Sequence, residues 1–386
     1  MTIRGQAFIA GAYEHPRRVI PDRSVSQVHA EVALGAIADA GLSLSDVDGY
    51  FCDSSAGFGP ISMVEYLGLH PRYVDSTETG GSSYIAHVGH AAAAIAAEHC
   101  DVALVTMGGV PRSQAQGLAA RPSGSPEASF ESTWGMSIVA AYALAAQRHM
   151  FEFGTTSAQL AEVKVAASLH AQHNPNAFLP NPVTVEEVLE SPVISSPLHR
   201  LDCCVITDGG GAVVVVSPEV AGNLSRQTVK ILGQAEAVKH MDNGRIDLTY
   251  TGAAATGPRA FEEAGVRPSD IDYVSIYDSF TITVLETLED LGFCEKGEGG
   301  RFVLDGALVA PHGKLPLNTD GGGLCNNHPS NRGGMTKIIE AVRQLRGEAH
   351  PAVQVPDCEI ALAHGTGGSI ATRMGSATVI LGREDT

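Results

Sequence analysis

The chain has 386 residues, a formal net charge of −18, 44% hydrophobic and 18% charged content. That length holds two domains or one large duplicated one, and such acidity excludes nucleic acid and anionic membrane as natural partners. No apolar run reaches the roughly 20 residues of a membrane helix, so a phosphate-bearing ligand must be met by helix N-termini or a local basic patch, for which Arg112, Arg121 and Arg200 are candidates.

The N-terminal MTIRGQAFIAGAYEH reads as a first strand, not a signal peptide. A helical stretch then stops at Gly41 within AGLSLSDVD (40–48) and leads into the apolar GYFC. A long helical stretch, SSYIAHVGHAAAAIAAEH, follows Gly80-Gly81 and precedes the buried strand CDVALVTMGG (100–109). An insertion of about 90 residues comes next, from about 111 to 200. It is Pro/Ser/Gly-rich at first and then helical, in MSIVAAYALAAQRHMFEFG and TSAQLAEVKVAASLHAQH. Long insertions at the end of a parallel strand are where open α/β folds place ligand-binding elements. The strand GAVVVVS (211–217) closes this part.

The same order then returns. AGVRPSDID (264–272) stops a helix at Gly265 and leads into YVSIY. GGMTKIIEAVRQLRGEAH precedes CEIALAHGTGG (358–368), and ATVILG (377–382) is the last strand. Three echoes in one order predict a duplicated α/β domain with mostly parallel sheets. The division is 1–110 with 201–226 as the first half, 111–200 as an inserted loop and helical substrate domain, and 227–386 as the second half. The seven cysteines are an odd number without zinc-ligand spacing, so no metal site is expected and reduced, cytoplasmic thiols are the default.

These features together resemble the thiolase superfamily over essentially the whole chain. The stretch HNPNAFLPNPVTVEEVLESPVISSPLHRLDCCVITDGGGAVVVVS is similar to the corresponding part of its sterol-carrier-protein-type, acyl-CoA-handling branch. The resemblance implies two βαβαβαββ-type halves in α/β/α/β/α layers. It also implies a coenzyme A thioester as substrate, with no intrinsic cofactor. Four family motifs can be followed. Where the family keeps a nucleophilic cysteine at a helix N-terminus, this chain reads Thr79-Gly80-Gly81-Ser82-Ser83-Tyr84, with Ser82 at the cysteine position and no cysteine on either side. Ser82 reads equally as a helix cap. The second motif, Asn-Glu-Ala-Phe or His-Asp-Cys-Phe in the family, is Tyr277-Asp278-Ser279-Phe280 here. The third, Gly-His-Pro, is Asn327-His328-Pro329, which puts His328 at the oxyanion-hole histidine. The fourth is Ala363-His364-Gly365-Thr366-Gly367-Gly368, which puts His364 at the acid/base position. Backbone N–H groups of Gly81, Ser82, Gly367 and Gly368 are the implied oxyanion donors, and Asp278, Phe280, Cys325 and Asn327 the implied substrate contacts. Taken by itself, Cys325 reads first as a small buried side chain.

A hydroxyl is a far weaker nucleophile than a thiolate, and no Gly-x-Ser-x-Gly elbow surrounds Ser82. Retro-aldol cleavage of a β-hydroxyacyl-CoA needs no acyl-enzyme, only a base and donors that hold a thioester enolate. It is the preferred reading. Thiolase-type acyl transfer and a non-catalytic acyl-CoA-binding subunit are the alternatives. Thiolase-like aldolases of steroid side-chain breakdown are similar in lacking the cysteine and in the second-motif tyrosine, but carry tyrosine where this chain has His328. The resemblance further implies a homodimer, and a small zinc-ribbon, OB-fold acyl-CoA-associated partner in a heterotetramer.

Overall fold

A computed structural model describes residues 2–114, 130, 133, 137–240, 242–329, 333–370 and 372–386. Arg121 and most of the Pro/Ser/Gly-rich start of the insertion lie outside the described residues. The first half contains β1 (Phe8–Glu14), α1 (Val25–Ala40), β2 (Gly49–Phe51), α2 (Pro60–Leu67), β3 (Tyr73–Asp75), α3 (Ser83–Ala96) and β4 (Val102–Gly109). The insertion contributes α4 (Ile138–Phe153), α5 (Ser157–Ala171), α6 (Val185–Glu190) and the hairpin β5 (Val193–Ser195) and β6 (Leu198–His199). β7 (Gly209–Val216) and α7 (Pro218–Ala221) complete that half. The second half runs β8 (Val229–Lys239), α8 (Ala253–Ala264), β9 (Tyr273–Ile276), α9 (Thr281–Asp290), α10 (Gly299–Phe302), α11 (Gly334–Arg346), β10 (Ile360–Ser369) and β11 (Thr372–Arg383). Among the described residues no helix is long and apolar enough to cross a membrane.

The main sheet has the order β3-β2-β4-β7-β1-β8-β11-β10-β9. Read outward from its middle, each side repeats one pattern, β1-β7-β4-β2 and β8-β11-β10-β9. The two sides meet in a short ladder, Phe8↔Lys230 and Ile9↔Val229. The sheet is mixed, which corrects the mostly parallel expectation. β2 runs parallel to β3 and β4, and β9 parallel to β10. β7 and β11 are antiparallel to both of their neighbours. The physical cause in the second half is a tight hairpin, Ser369↔Thr372, that turns β10 straight back into β11 without a helical crossover.

The helices fall into layers by their burial. α3 and α11 are buried nearly all round, and a helix with no solvent-facing side must be covered on every side. They form the middle layer, in one core with the inward side chains of both sheet halves, among them Val105, Val213, Ala363 and Val379. Alternate residues of the same strands, such as Leu104, Val214, Leu362 and Ile380, face outward. There α1 covers the first half and α8 the second, giving the layered arrangement of the duplicated α/β expectation.

The nine-residue echo has a local cause. Gly41 and Gly265 take left-handed backbone angles, φ 72° and 66°, and end α1 and α8. Asp46 and Asp270 then each accept a backbone N–H three residues back, Ser43 N and Arg267 N, both at 2.8 Å. Asp48 and Asp272 pin the start of the neighbouring strand, accepting from Asp101 and Val102 in one half and from Glu359 and Ile360 in the other. Asp272→Ala leaves two strand-start N–H groups without their acceptor. It should lower unfolding free energy by about 1–2 kcal/mol, measured by denaturant titration against wild type.

Candidate active site

β9 ends at Ile276, and the next residue continues its pairing, since Tyr277 N donates to His364 O at 2.9 Å. This carries the Tyr277 side chain to the N-terminal ends of α3 and α11. A methyl group at Gly81 would overlap the Tyr277 ring and the Thr366 carbonyl, so the turn before α3 packs its bare backbone against the phenol. A Cβ at Gly333 would stand 3.1 Å from Tyr277 Cε2 and 3.4 Å from His328 Cδ2.

His328 reaches the same place from a one-turn π-helix, Gly322–Asn326. Thr207 clasps the loop there. His328 N donates to Thr207 Oγ1 at 3.0 Å, Thr207 N to His328 O at 3.2 Å, and Thr207 Oγ1 to Asn327 Oδ1 at 2.9 Å. The result is a Tyr277 hydroxyl 2.8 Å from His328 Nε2, with the rings nearly perpendicular. Tyr277 is 3% exposed and His328 8%, so both are buried. The Gly333 backbone N–H hydrogen-bonds the phenol oxygen, and the phenol can donate to Nε2 when the imidazole proton is on Nδ1. His328 Nδ1 is buried and has no partner among the described residues.

Burial dominates the electrostatics. It pushes the Tyr277 phenol well above its ordinary value, and pushes His328 down to about 4, with Asp278 opposing and Lys337 reinforcing the shift. Both groups are therefore neutral at pH 7. Burial alone would raise Asp278, but Lys337 and the Gly323 and Leu324 N–H groups hold it below the usual carboxylate range.

The other expected residues are placed differently. Ser82 spends its hydroxyl on Thr79, donating to Thr79 O at 2.8 Å, and faces β11 at Gly375. It stands at the N-cap position of α3 but makes no side-chain capping bond there, and Ser83 Oγ accepts Thr79 N at 2.8 Å. His364 points to the outer face of β10, with Nδ1 2.8 Å from Thr378 Oγ1, because a strand sends alternate side chains to opposite faces and Gly365 is the one facing Ser82. Its backbone carbonyl, not its ring, serves Tyr277. Gly367 pairs with Gly375 and packs on Thr79 and Gly80, while Gly368 sits in a bulge against Arg373. Asp278, Cys325 and Asn327 are committed inside the protein, which corrects their expected place on the substrate. Asp278 pairs with Lys337. Cys325 Sγ takes Lys164 Nζ at 3.0 Å, and Asn327 Nδ2 donates to Glu14 at 2.9 Å. Phe280 stacks on Tyr142 of α4 at 4.4 Å and is one link between this region and the insertion. Arg112 lies over the Phe178 ring at 4.4 Å, and Arg200 is exposed on the turn at 200–202. Lys337, Gly333 and Thr207 were not anticipated. The one available signal was a lysine among Met335, Ile338 and Ile339.

Residues 235–383 match the family described as "Thiolase C-terminal domain-like". An acetyl-CoA acetyltransferase of Methanothermobacter thermautotrophicus is 34% identical over 92% of this chain and 94% of its own. A steroid side-chain-cleaving aldolase of Thermomonospora curvata is 36% identical over 89% of this chain and 91% of its own. A solved structure described as "Ltp2-ChsH2(DUF35) aldolase" superposes with a TM-score of 0.89 at 32% identity, covering 99% of both chains.

Burial holds His328 at about 4, His170 at about 4 and His364 at about 3, against 6.5 for a free imidazole. The unfolded chain therefore binds protons that the folded one refuses as pH falls below 6.5. Stability should be full above pH 7 and decline steadily from about 6.5 toward 4, measured as the unfolding midpoint against pH. Gly81→Ala should cost about 1–3 kcal/mol by forcing the Tyr277 ring aside, and denaturant titration of the variant checks it.

Proposed function

The chain belongs to the thiolase superfamily, in its sterol-carrier-protein-type, aldolase-containing branch, and on that footing we propose that it cleaves a β-hydroxyacyl-CoA by a retro-aldol reaction. The observation that carries this reading is the buried Tyr277 hydroxyl 2.8 Å from His328 Nε2, beside a nucleophile position whose serine is bonded to Thr79. A proton relay is in place where an acyl acceptor is not.

In this reading the β-hydroxyl of the substrate gives its proton to the Tyr277 oxygen as the phenol proton passes to His328 Nε2. The C–O bond becomes a carbonyl, the Cα–Cβ bond breaks, and its electron pair enters the thioester as an enolate. The His328 Nδ1–H, which has no partner among the described residues, donates to the enolate oxygen, and its donor strength rises as the ring becomes imidazolium. The Gly333 N–H, at the positive end of α11, steadies charge on the phenol oxygen during transfer. Once the ketone or aldehyde has left, the proton returns through Tyr277 to the enolate carbon and releases an acyl-CoA. His364 has no part in these steps. Residues 111–200 act as the substrate-binding insertion through α4, whose Tyr142 backs Phe280.

Acyl transfer of the acetyltransferase kind is the second reading, favoured by the similarity to the Methanothermobacter enzyme. It requires Ser82 to leave Thr79. We further propose a homodimer that works with an acyl-CoA-associated partner subunit of the zinc-ribbon, OB-fold kind. The solved aldolase that pairs Ltp2 with ChsH2(DUF35) supports the idea of a second subunit. The seven unpaired thiols fit a cytoplasmic setting.

Tyr277→Phe should lower kcat for carbonyl release from a β-hydroxyacyl-CoA by about 10²–10⁴-fold, with KM nearly unchanged, in a coupled assay of the released ketone or aldehyde. CoA-dependent cleavage of a β-ketoacyl-CoA, undiminished in that variant and abolished by Ser82→Ala, would instead establish the second reading.

A further inference from the structure

One carboxylate joins the three segments that build the Tyr277–His328 pair. Asp278 and Lys337 are each 1% exposed, and Lys337 Nζ lies 2.8 Å from Asp278 Oδ1. The same carboxylate accepts Gly323 N at 2.8 Å and Leu324 N at 3.0 Å. Asp278 follows Tyr277 directly. Gly323 and Leu324 lie in the π-turn that delivers His328, and Lys337 stands on α11, four residues after the Gly333 N–H that meets the phenol. A side chain at Gly322 would collide with the Asp278 carboxylate. One at Gly323 would stand 3.1 Å from Asp278 Oδ1 and 3.2 Å from His328 Cδ2. The glycines let the turn close directly on the carboxylate.

We propose that the buried Lys337–Asp278 ion pair is a positioning device that holds the Tyr277 hydroxyl and the His328 imidazole in register through the backbone, without meeting the substrate. This rests on the reading of Tyr277 and His328 as the reacting pair. Stability does not account for the ion pair, because well-packed apolar groups in such a place are often as good or better. What an apolar pair would lack is directional bonds to two backbone N–H groups of the His328 turn.

The pair also balances charge around the imidazole. Among the described residues, His328 is faced by the Tyr277 hydroxyl and Asp278 from the end of β9 and by Lys337 from α11. One residue earlier, Asn327 touches Glu14, whose charge is met by Arg18 at 2.8 Å and Arg343 at 3.2 Å. The Cys204 thiol lies on the Tyr277 side. Asp278 favours an imidazolium and Lys337 opposes it. With Lys337 removed, the carboxylate acts alone, the imidazole takes a proton at higher pH, and Nε2 can no longer accept from the phenol.

The test measures kcat, KM and the pH dependence of kcat for carbonyl release by the full chain, with its partner subunit if activity requires one. Lys337→Met should lower kcat at least tenfold with KM within about twofold, and move the acidic limb of the profile upward by about one pH unit. The double variant Asp278→Asn with Lys337→Met leaves no lone buried charge. It should return the limb to its wild-type position while kcat stays well below wild type, because the register is still lost. Should the single variant not fold, the double variant carries the kcat readout. Wild-type kcat in the double variant, with Tyr277→Phe inactive, overturns the positioning role and leaves the reaction intact. Tyr277→Phe at wild-type rate overturns the reaction reading itself.

Discussion

Two helices without a water-facing side set the terms for everything else in this protein. α3 and α11 can be stable only between two sheet faces, and a duplicated half supplies each face. Packing a helix layer between sheets demands close backbone approach. A side chain at Gly334 would collide with the Gly81 carbonyl, and one at Gly367 with that of Thr79. The two helix N-termini are thereby brought together at the end of β9, where unpaired N–H groups and the positive ends of two dipoles converge. Tyr277 occupies that point, and its oxygen takes the Gly333 N–H.

The site is an exercise in keeping buried groups neutral until a proton has to move. A strongly acidic chain surrounds it, yet within hydrogen-bond reach the charges are paired: Asp278 with Lys337, and Glu14 with Arg18 and Arg343. What remains between them is a phenol and an imidazole that both resist ionisation because water is excluded. His364 is equally buried and its basicity shifted in the same direction, but its Nδ1 meets the Thr378 hydroxyl on the outer face of β10.

Replacing a nucleophilic thiol by a hydroxyl at position 82 changes more than reactivity. A hydroxyl is a good donor and finds the Thr79 carbonyl at 2.8 Å, which turns it away from Tyr277. The turn before α3 packs the bare Gly81 backbone against the Tyr277 ring.

The sequence by itself determined what depends on near neighbours along the chain. The repeat of AGLSLSDVD as AGVRPSDID was legible because each copy folds through bonds within a few residues: a left-handed glycine, then a carboxylate returning to an N–H three positions back. Tyr277 and His328 were legible as motif positions through the family resemblance. Only the tertiary structure decided which face of β10 carries His364, that β7 and β11 run antiparallel to their neighbours, and that Asp278, Cys325 and Asn327 serve Lys337, Lys164 and Glu14 inside the protein. Those pairings join residues 59, 161 and 313 positions apart. A side chain's polar group takes whichever partner packing delivers, and packing is a property of the closed layers rather than of any segment read alone.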